Sequence, residues 1–263
     1  MVKILIFQWE TLDINTQLNL VYQTLIALIM LVMMVYFFAQ SVKMREVASQ
    51  KHFYMGLGGF VAFNLVTQAI WTIDKWIGAL NTVPNPPNFD GSYVLNFILP
   101  FVGKGAINPY LFMLFLWGFV AVCWPVEKYV TNSKRFPATS INLIGAIAMS
   151  VYIFVVPWFF PGIADGSEAW NVLEYVMYGV LGIGGIGFIL ALVLIIGFYM
   201  YLGGKTSGSV RKKSFLIAFG FMLVFIGLVL TQLPKDNPWM GLVSPTVMIV
   251  GFVFLGTGYR IQA

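Results

Sequence analysis

The chain is poor in the residues that build most catalytic and metal centres. Its 263 residues include one cysteine and one histidine, Cys123 and His52. A lone cysteine closes no internal disulfide and assembles no thiolate cluster. A lone histidine rules out bis-histidine haem ligation, and any multi-histidine zinc or iron centre built from this chain alone, so no cofactor and no metal site is expected. Charge is scarce too. Asp, Glu, Lys and Arg make up only 10% of the residues, where a soluble domain carries roughly 25%. Most of the surface must therefore face something other than water.

Enzymatic constellations are hard to assemble from what remains. A serine nucleophile needs an adjacent base, and His52 stands alone near the start of an apolar run. An intramembrane aspartyl centre needs two facing acids. Asp74 is the only acid on the polar face of such a run, and Glu174 sits at the edge of another. Gly204-Lys205-Thr206 lacks the upstream strand and the spacing of a phosphate-binding loop. The expectation is a protein that is not an enzyme.

What the chain has in abundance is apolar sequence, 59% of all residues. Seven runs approach the length of about 20 residues that crosses a bilayer as a helix. They fall at about 18–39, 53–76, 109–129, 140–158, 175–202, 214–232 and 240–259. The third is apolar only over Tyr110–Trp124, so its helix has to run on past Pro125, with a kink there. Asn108 and Pro109 suit its N-cap and first turn. Residues 80–105 are rich in proline and other turn formers, and 94–102 is apolar but too short to span, so it lies in the interface or re-enters. Gln8 and Glu10 interrupt the apolar residues of Met1–Phe7 too early for a secretory signal, so that start is expected to be an amphipathic lead-in that stays on the mature protein. The fold class expected is all-α: a single polytopic membrane domain over 1–263, a bundle of seven transmembrane helices.

Orientation follows from the basic residues. With the amino terminus outside and the carboxyl terminus cytoplasmic, only Lys3, Lys75, Lys104 and Lys235 of the 15 Lys and Arg lie outside. The other 11 lie inside, including the short basic connector that ends in Arg211-Lys212-Lys213. Short loops with this bias obey the positive-inside rule. The net charge of +5 is then a topology signal, and no nucleic-acid partner is expected.

Polar residues inside the spans are the candidates for function. In the second span Asn64, Thr67, Gln68, Trp71, Asp74 and Lys75 recur three or four apart and share one helix face. Asn64, Gln68, Trp71 and Asp74 are the candidate ligand-binding residues, turned inward with Asp74 near the outer water boundary. The reading favoured over a ligand face is interhelical hydrogen bonding, with polar groups such as Asn108, Ser244 or Thr246 as partners. Glycines mark close packing. Gly182 and Gly185 are expected against another helix, of this chain or of a partner, and Gly220 and Gly227 lie one heptad apart on one face. Met30, Met33 and Met34 are read as gap-filling core residues.

Two resemblances attach to particular residues. Glu127-Lys128-Tyr129, at the inner end of the third span, resembles the acidic–basic–tyrosine triplet of rhodopsin-like receptors. Lys128 replaces that family's arginine, and the seventh span has Ser244-Pro245 in place of its asparagine–proline–tyrosine signature. Microbial rhodopsins require a lysine in the seventh span to hold retinal, and 240–259 has none. The basic turn Gly208–Lys213 leading into Ser214–Gly220, together with the seven-span layout, resembles the seven-helix membrane sensor region of microbial histidine kinases and related stand-alone seven-helix proteins. That resemblance implies a sensor-like or receptor-like protein in the cell membrane that passes a signal to a separate membrane or cytoplasmic partner. Candidate docking residues are Glu127, Lys128, Arg211, Lys212 and Lys213. The alternative is a structural or accessory subunit of a larger membrane complex.

Overall fold

The computed structural model describes residues 12–80, 107–154, 168–230 and 240–260. These residues form seven helices: α1 (Ile14–Lys43), α2 (Ala48–Leu80), α3 (Ile107–Tyr129), α4 (Pro137–Phe154), α5 (Glu168–Lys205), α6 (Gly208–Leu230) and α7 (Met240–Arg260). Six contain a stretch long and apolar enough to cross a membrane, namely Thr16–Lys43, Ala48–Ile73, Phe112–Tyr129, Pro137–Phe154, Gly182–Lys205 and Leu242–Arg260. The chain thus has the make-up of a multi-pass helical membrane protein. The exception is α6, which carries Arg211, Lys212 and Lys213 in its first two turns. The expected span 214–232 runs two residues beyond the described end of that helix.

The helices overrun the expected spans because polar residues extend them past the hydrocarbon. Asp13 starts α1 four residues before Leu18. Its carboxylate accepts the Thr16 amide at 3.0 Å, and its carbonyl accepts the Gln17 amide at 3.1 Å. That is the bonding an N-cap supplies to a helix's unpaired first amides. At 33 residues, α2 is about 50 Å long, against a hydrocarbon core of about 30 Å. It begins at Ala48 because Ser49-Gln50-Lys51-His52 are tolerated in a helix outside lipid. The third helix runs through Pro125 to Tyr129, as its short apolar stretch requires. The expected end of the fourth span, 155–158, and residues 94–102 lie outside the described residues.

By contacts the chain divides into two compact units. One holds the described residues within Met1–Met33, Trp71–Phe89 and Val193–Ala263; the other holds those within Met34–Ile70 and Asp90–Leu192. Three of the four cuts fall inside α1, α2 and α5 and not in linkers, where domain boundaries usually lie, and the fourth lies outside the described residues.

In the first unit, α6 and α7 form a hairpin whose backbones touch. A Cβ on Gly220 would lie 2.8 Å from the Leu255 nitrogen and 2.9 Å from the Gly251 carbonyl oxygen. One on Gly251 would lie 2.8 Å from the Val224 nitrogen. Gly227 and Gly258, each seven residues further along its helix, repeat the approach against Met248 and Ile217. Small residues at heptad spacing let two membrane helices pack on van der Waals contact alone. Ser244 adds a buried bond, its hydroxyl donating to the Gly227 carbonyl at 2.8 Å.

In the second unit, Phe60, Phe115, Phe119 and Phe188 join α2, α3 and α5 in one aromatic cluster, with centroids 4.9–6.3 Å apart. Among the described residues, nothing in this chain lies within 4 Å of a Cβ on Gly182 or Gly185, which leaves a partner's helix as the neighbour those two would need. The packed pair is Gly184, under Phe112 and Leu116, and Gly187, under Asn142. The five glycines within 179–187 permit more than one helix face, and the bulk on α3 and α4 selects the face. Gly56 of α2 abuts the Ala121 carbonyl oxygen and Pro125 of α3. Proline has no amide hydrogen, so in a helix the carbonyl four residues before it loses its usual donor. Gly56 sits at that vacated carbonyl. Gly56→Ala should lower stability by about 1–3 kcal/mol, the usual cost of overpacking. Thermal unfolding in detergent measures this, and an unchanged midpoint would show that the two helices separate freely there.

Candidate functional site

The polar face of α2 is placed unevenly. Asn64 is 7% exposed and packs beside Gly118 of α3, where its amide nitrogen would lie 3.3 Å from a glycine Cβ. That nitrogen donates to the Phe60 carbonyl of its own helix at 2.8 Å. The partners expected for Asn64 have other commitments: Ser244 bonds Gly227, and Thr246 is exposed and donates to Leu242 of its own turn. Thr67 likewise donates to Phe63 at 3.1 Å. Gln68 and Trp71 are half-buried. The side chain of Asp74, like that of Asn108, lies outside the described residues.

Two bonds from α2 to α1 come from its next turns, which sequence reasoning passed over. The Trp76 indole N–H donates to the Thr24 hydroxyl of α1 at 3.0 Å, and that hydroxyl donates to Leu20 at 2.8 Å. The buried Thr72 hydroxyl reaches the Gln23 carbonyl at 3.5 Å, and the Gln23 amide donates to Asn19 at 3.3 Å. Gln23 itself is buried. A buried amide within an apolar helix was the available signal, because such a group needs a partner. A second polar anchor is Asn142 of α4, fully buried, whose amide donates to Ala138 at 2.8 Å and to Gly187 of α5 at 2.9 Å. Its carbonyl oxygen and the Thr139 hydroxyl are buried without a hydrogen-bond partner.

The first turns of α2 and the last turns of α3 meet around His52. The His52 Nδ1 lies 2.7 Å from the Ala48 carbonyl. A carbonyl only accepts, so Nδ1 carries the proton. The Tyr129 oxygen, 3.0 Å away, shares that N–H as a second acceptor. The two rings stack at 5.5 Å and 13°, and Trp124 meets His52 edge-on at 5.5 Å. The ammonium of Lys128 lies 4.8 Å from the Trp124 centroid and 5.2 Å from that of Tyr129, within cation–π range.

Glu127 does not stand at this surface. It is 2% exposed, and its carboxylate accepts the Ala138 amide at 2.8 Å and the Thr139 amide at 2.9 Å. These are unpaired amides of the α4 N-terminus, where the helix dipole also favours an anion. As a docking residue Glu127 is therefore corrected: its carboxylate is consumed inside the chain. Of the other docking candidates, Lys128, Arg211 and Lys212 are exposed and Lys213 is half-buried. Burial holds the Lys213 ammonium below the usual lysine range. Arg211 lies 5.8 Å over the Phe215 ring.

No family model matches the chain, and neither a curated protein nor a solved structure matches it. Function has to be argued from the residues themselves.

Proposed function

We propose that the chain is a non-enzymatic seven-helix protein of the cell membrane, amino terminus outside and carboxyl terminus cytoplasmic, that works as a sensor or receptor. A ligand acts on the polar face of α2, and a separate partner docks on the basic turn at Arg211 and Lys212. The observation that carries this reading is the concentration of polar side chains on one membrane helix. Asn64 and Thr72 are both buried on α2 within the candidate span Ala48–Ile73. Polar groups in such spans that face inward commonly mark ligand or ion paths.

Asn64→Leu and Gln68→Leu test it. The one bond shown for Asn64 is within its own helix, so its loss should cost at most about 1 kcal/mol. The expected result is loss of ligand-dependent partner output with the unfolding midpoint nearly unchanged. Unfolding without any effect on output would make the face structural.

The orientation has its own check. A reporter active only in the cytoplasm, attached after Ala263, should give signal. Silence there, with signal from the same reporter at Met1, would reverse the topology.

A second reading, a structural or accessory subunit, draws on the open glycines of α5. Among the described residues, nothing lies within 4 Å of a Cβ on Gly179, Gly182 or Gly185, a face suited to seating another helix. Purification from native membranes in mild detergent separates the two. A fixed-stoichiometry complex with other membrane subunits would favour the second reading, and a single species holding a small molecule the first.

A further inference from the structure

The cluster around His52 has more hydrogen-bond donors than the chain uses. With Nδ1–H of His52 pointing at Ala48 and Tyr129, the Tyr129 oxygen acts as an acceptor and its own O–H is left to donate. No acceptor for it is shown among the described residues. Lys128 is exposed, and the rings of Trp124 and Tyr129 hold its ammonium in place without consuming an N–H. The acid beside them does not neutralise this group, because Glu127 is buried on the α4 amides. The same unit carries Lys43, Arg45, Lys51, Lys134 and Arg135 in the flanking helix ends and connectors, against Glu46 as the exposed acid.

We infer that Lys128 and Tyr129, with Tyr129 positioned by His52, form a binding site for the phosphate headgroup of an anionic phospholipid. Depth argues for a lipid as the occupant. Trp124 and Tyr129 lie in the last two turns of the candidate span Phe112–Tyr129, where tryptophan and tyrosine rings settle at headgroup level. A phosphate diester there meets the ammonium and the tyrosine O–H together, while its acyl chains lie along the exposed apolar side chains of the same unit, such as Ile144, Ile147 and Val151 of α4. Charge-assisted bonds from lysine to phosphate are among the stronger hydrogen bonds a protein makes. The site does not depend on which way the chain is inserted.

Lipid retention by the purified full chain tests the inference. The protein in mild detergent is titrated with phosphatidylglycerol or phosphatidylcholine, and bound lipid is counted by native mass spectrometry. Phosphatidylglycerol should be retained in preference, and Lys128→Gln should weaken it about fivefold, the worth of one basic residue at an anionic surface. Tyr129→Phe keeps the ring and the cation–π contact, removes only the hydroxyl, and should also weaken retention. Lys134→Gln, an exposed charge on the α3–α4 connector, should change retention less than about twofold. Equal retention of both lipids, or an effect of Lys134→Gln as large as that of Lys128→Gln, overturns the site. Glycerol phosphate should not displace the lipid; displacement would identify a soluble phosphate as the occupant and overturn the lipid assignment. Should Lys128→Gln fail to fold, unchanged retention in Tyr129→Phe would still sink the proposal.

Discussion

Gly251→Leu should abolish recovery of folded protein, while Gly256→Leu, five residues further along α7, should be nearly silent. The difference comes from what each Cβ would meet. At Gly251 it would fall 2.8 Å from the Val224 backbone nitrogen and 2.9 Å from the Gly220 carbonyl oxygen. Backbone atoms in the middle of a helix cannot step aside as a side-chain tip can, so α6 and α7 must part along their length. Parting them also breaks the Ser244–Gly227 bond and uncovers Gly220, Gly227 and Gly258. In lipid no hydrophobic force drives the helices together again, because the tails are as apolar as the helices. The loss should exceed the ~1–3 kcal/mol typical of overpacking in a core that can adjust. At Gly256 nothing among the described residues lies within 4 Å of a Cβ, and a leucine there should shift stability by about 0.5 kcal/mol or less. Size-exclusion profile and unfolding midpoint in detergent give both readings. A Gly251→Leu protein that elutes and melts like the parent would show that the hairpin is not closely packed.

The sequence announces its membrane helices because a bilayer imposes length and apolarity, two properties a single chain displays openly. Six of the seven expected spans coincide with helices that are long and apolar enough to cross. Helix ends are less legible. A span is bounded by lipid but a helix by its caps, so α1 reaches back to the Asp13 cap and α2 starts among Ser49, Gln50 and Lys51. Pairing is harder still. The heptad spacing of Gly220 and Gly227 stands out, yet nothing local shows that Gly251 meets Gly220 or that Met248 covers Gly227. On α5 the spacing admitted Gly182 and Gly185 as readily as Gly184 and Gly187, and Phe112, Leu116 and Asn142 on other helices make the choice. The same holds for polar side chains. Asn64 and Gln68 caught attention because their spacing forms a stripe. Gln23, Thr24 and Asn142 sit singly in apolar surroundings, and a lone polar residue reveals its partner only when the other helix is in place.

Glu127 is the clearest instance of a role hidden by sequence distance, and its removal should be the other large effect. Its carboxylate closes α3 onto α4 across a connector in which Asn132 and Phe136 take left-handed φ values of 49° and 45°. Both oxygens are occupied, at 2.8 Å by the Ala138 amide and at 2.9 Å by the Thr139 amide. The next amide, Ser140, is already satisfied by the Phe136 carbonyl at 2.8 Å. Glu127→Ala would leave two buried donors with nothing to bond, at about 1–3 kcal/mol each. A total of roughly 2–6 kcal/mol is a large part of a marginal stability of about 5–15 kcal/mol. Glu127→Gln should fall in between, since one carboxamide oxygen can accept but its NH2 group would face the other amide donor to donor. Lys128→Gln, at the exposed neighbour, should leave the midpoint unchanged within about 0.5 kcal/mol. Unfolding midpoints rank the three variants, and amide exchange at residues 138 and 139 locates the damage, with protection lost there first in Glu127→Ala. If that variant keeps both its midpoint and its amide protection, the carboxylate does not hold α4, and Glu127 returns to being a candidate surface for a partner.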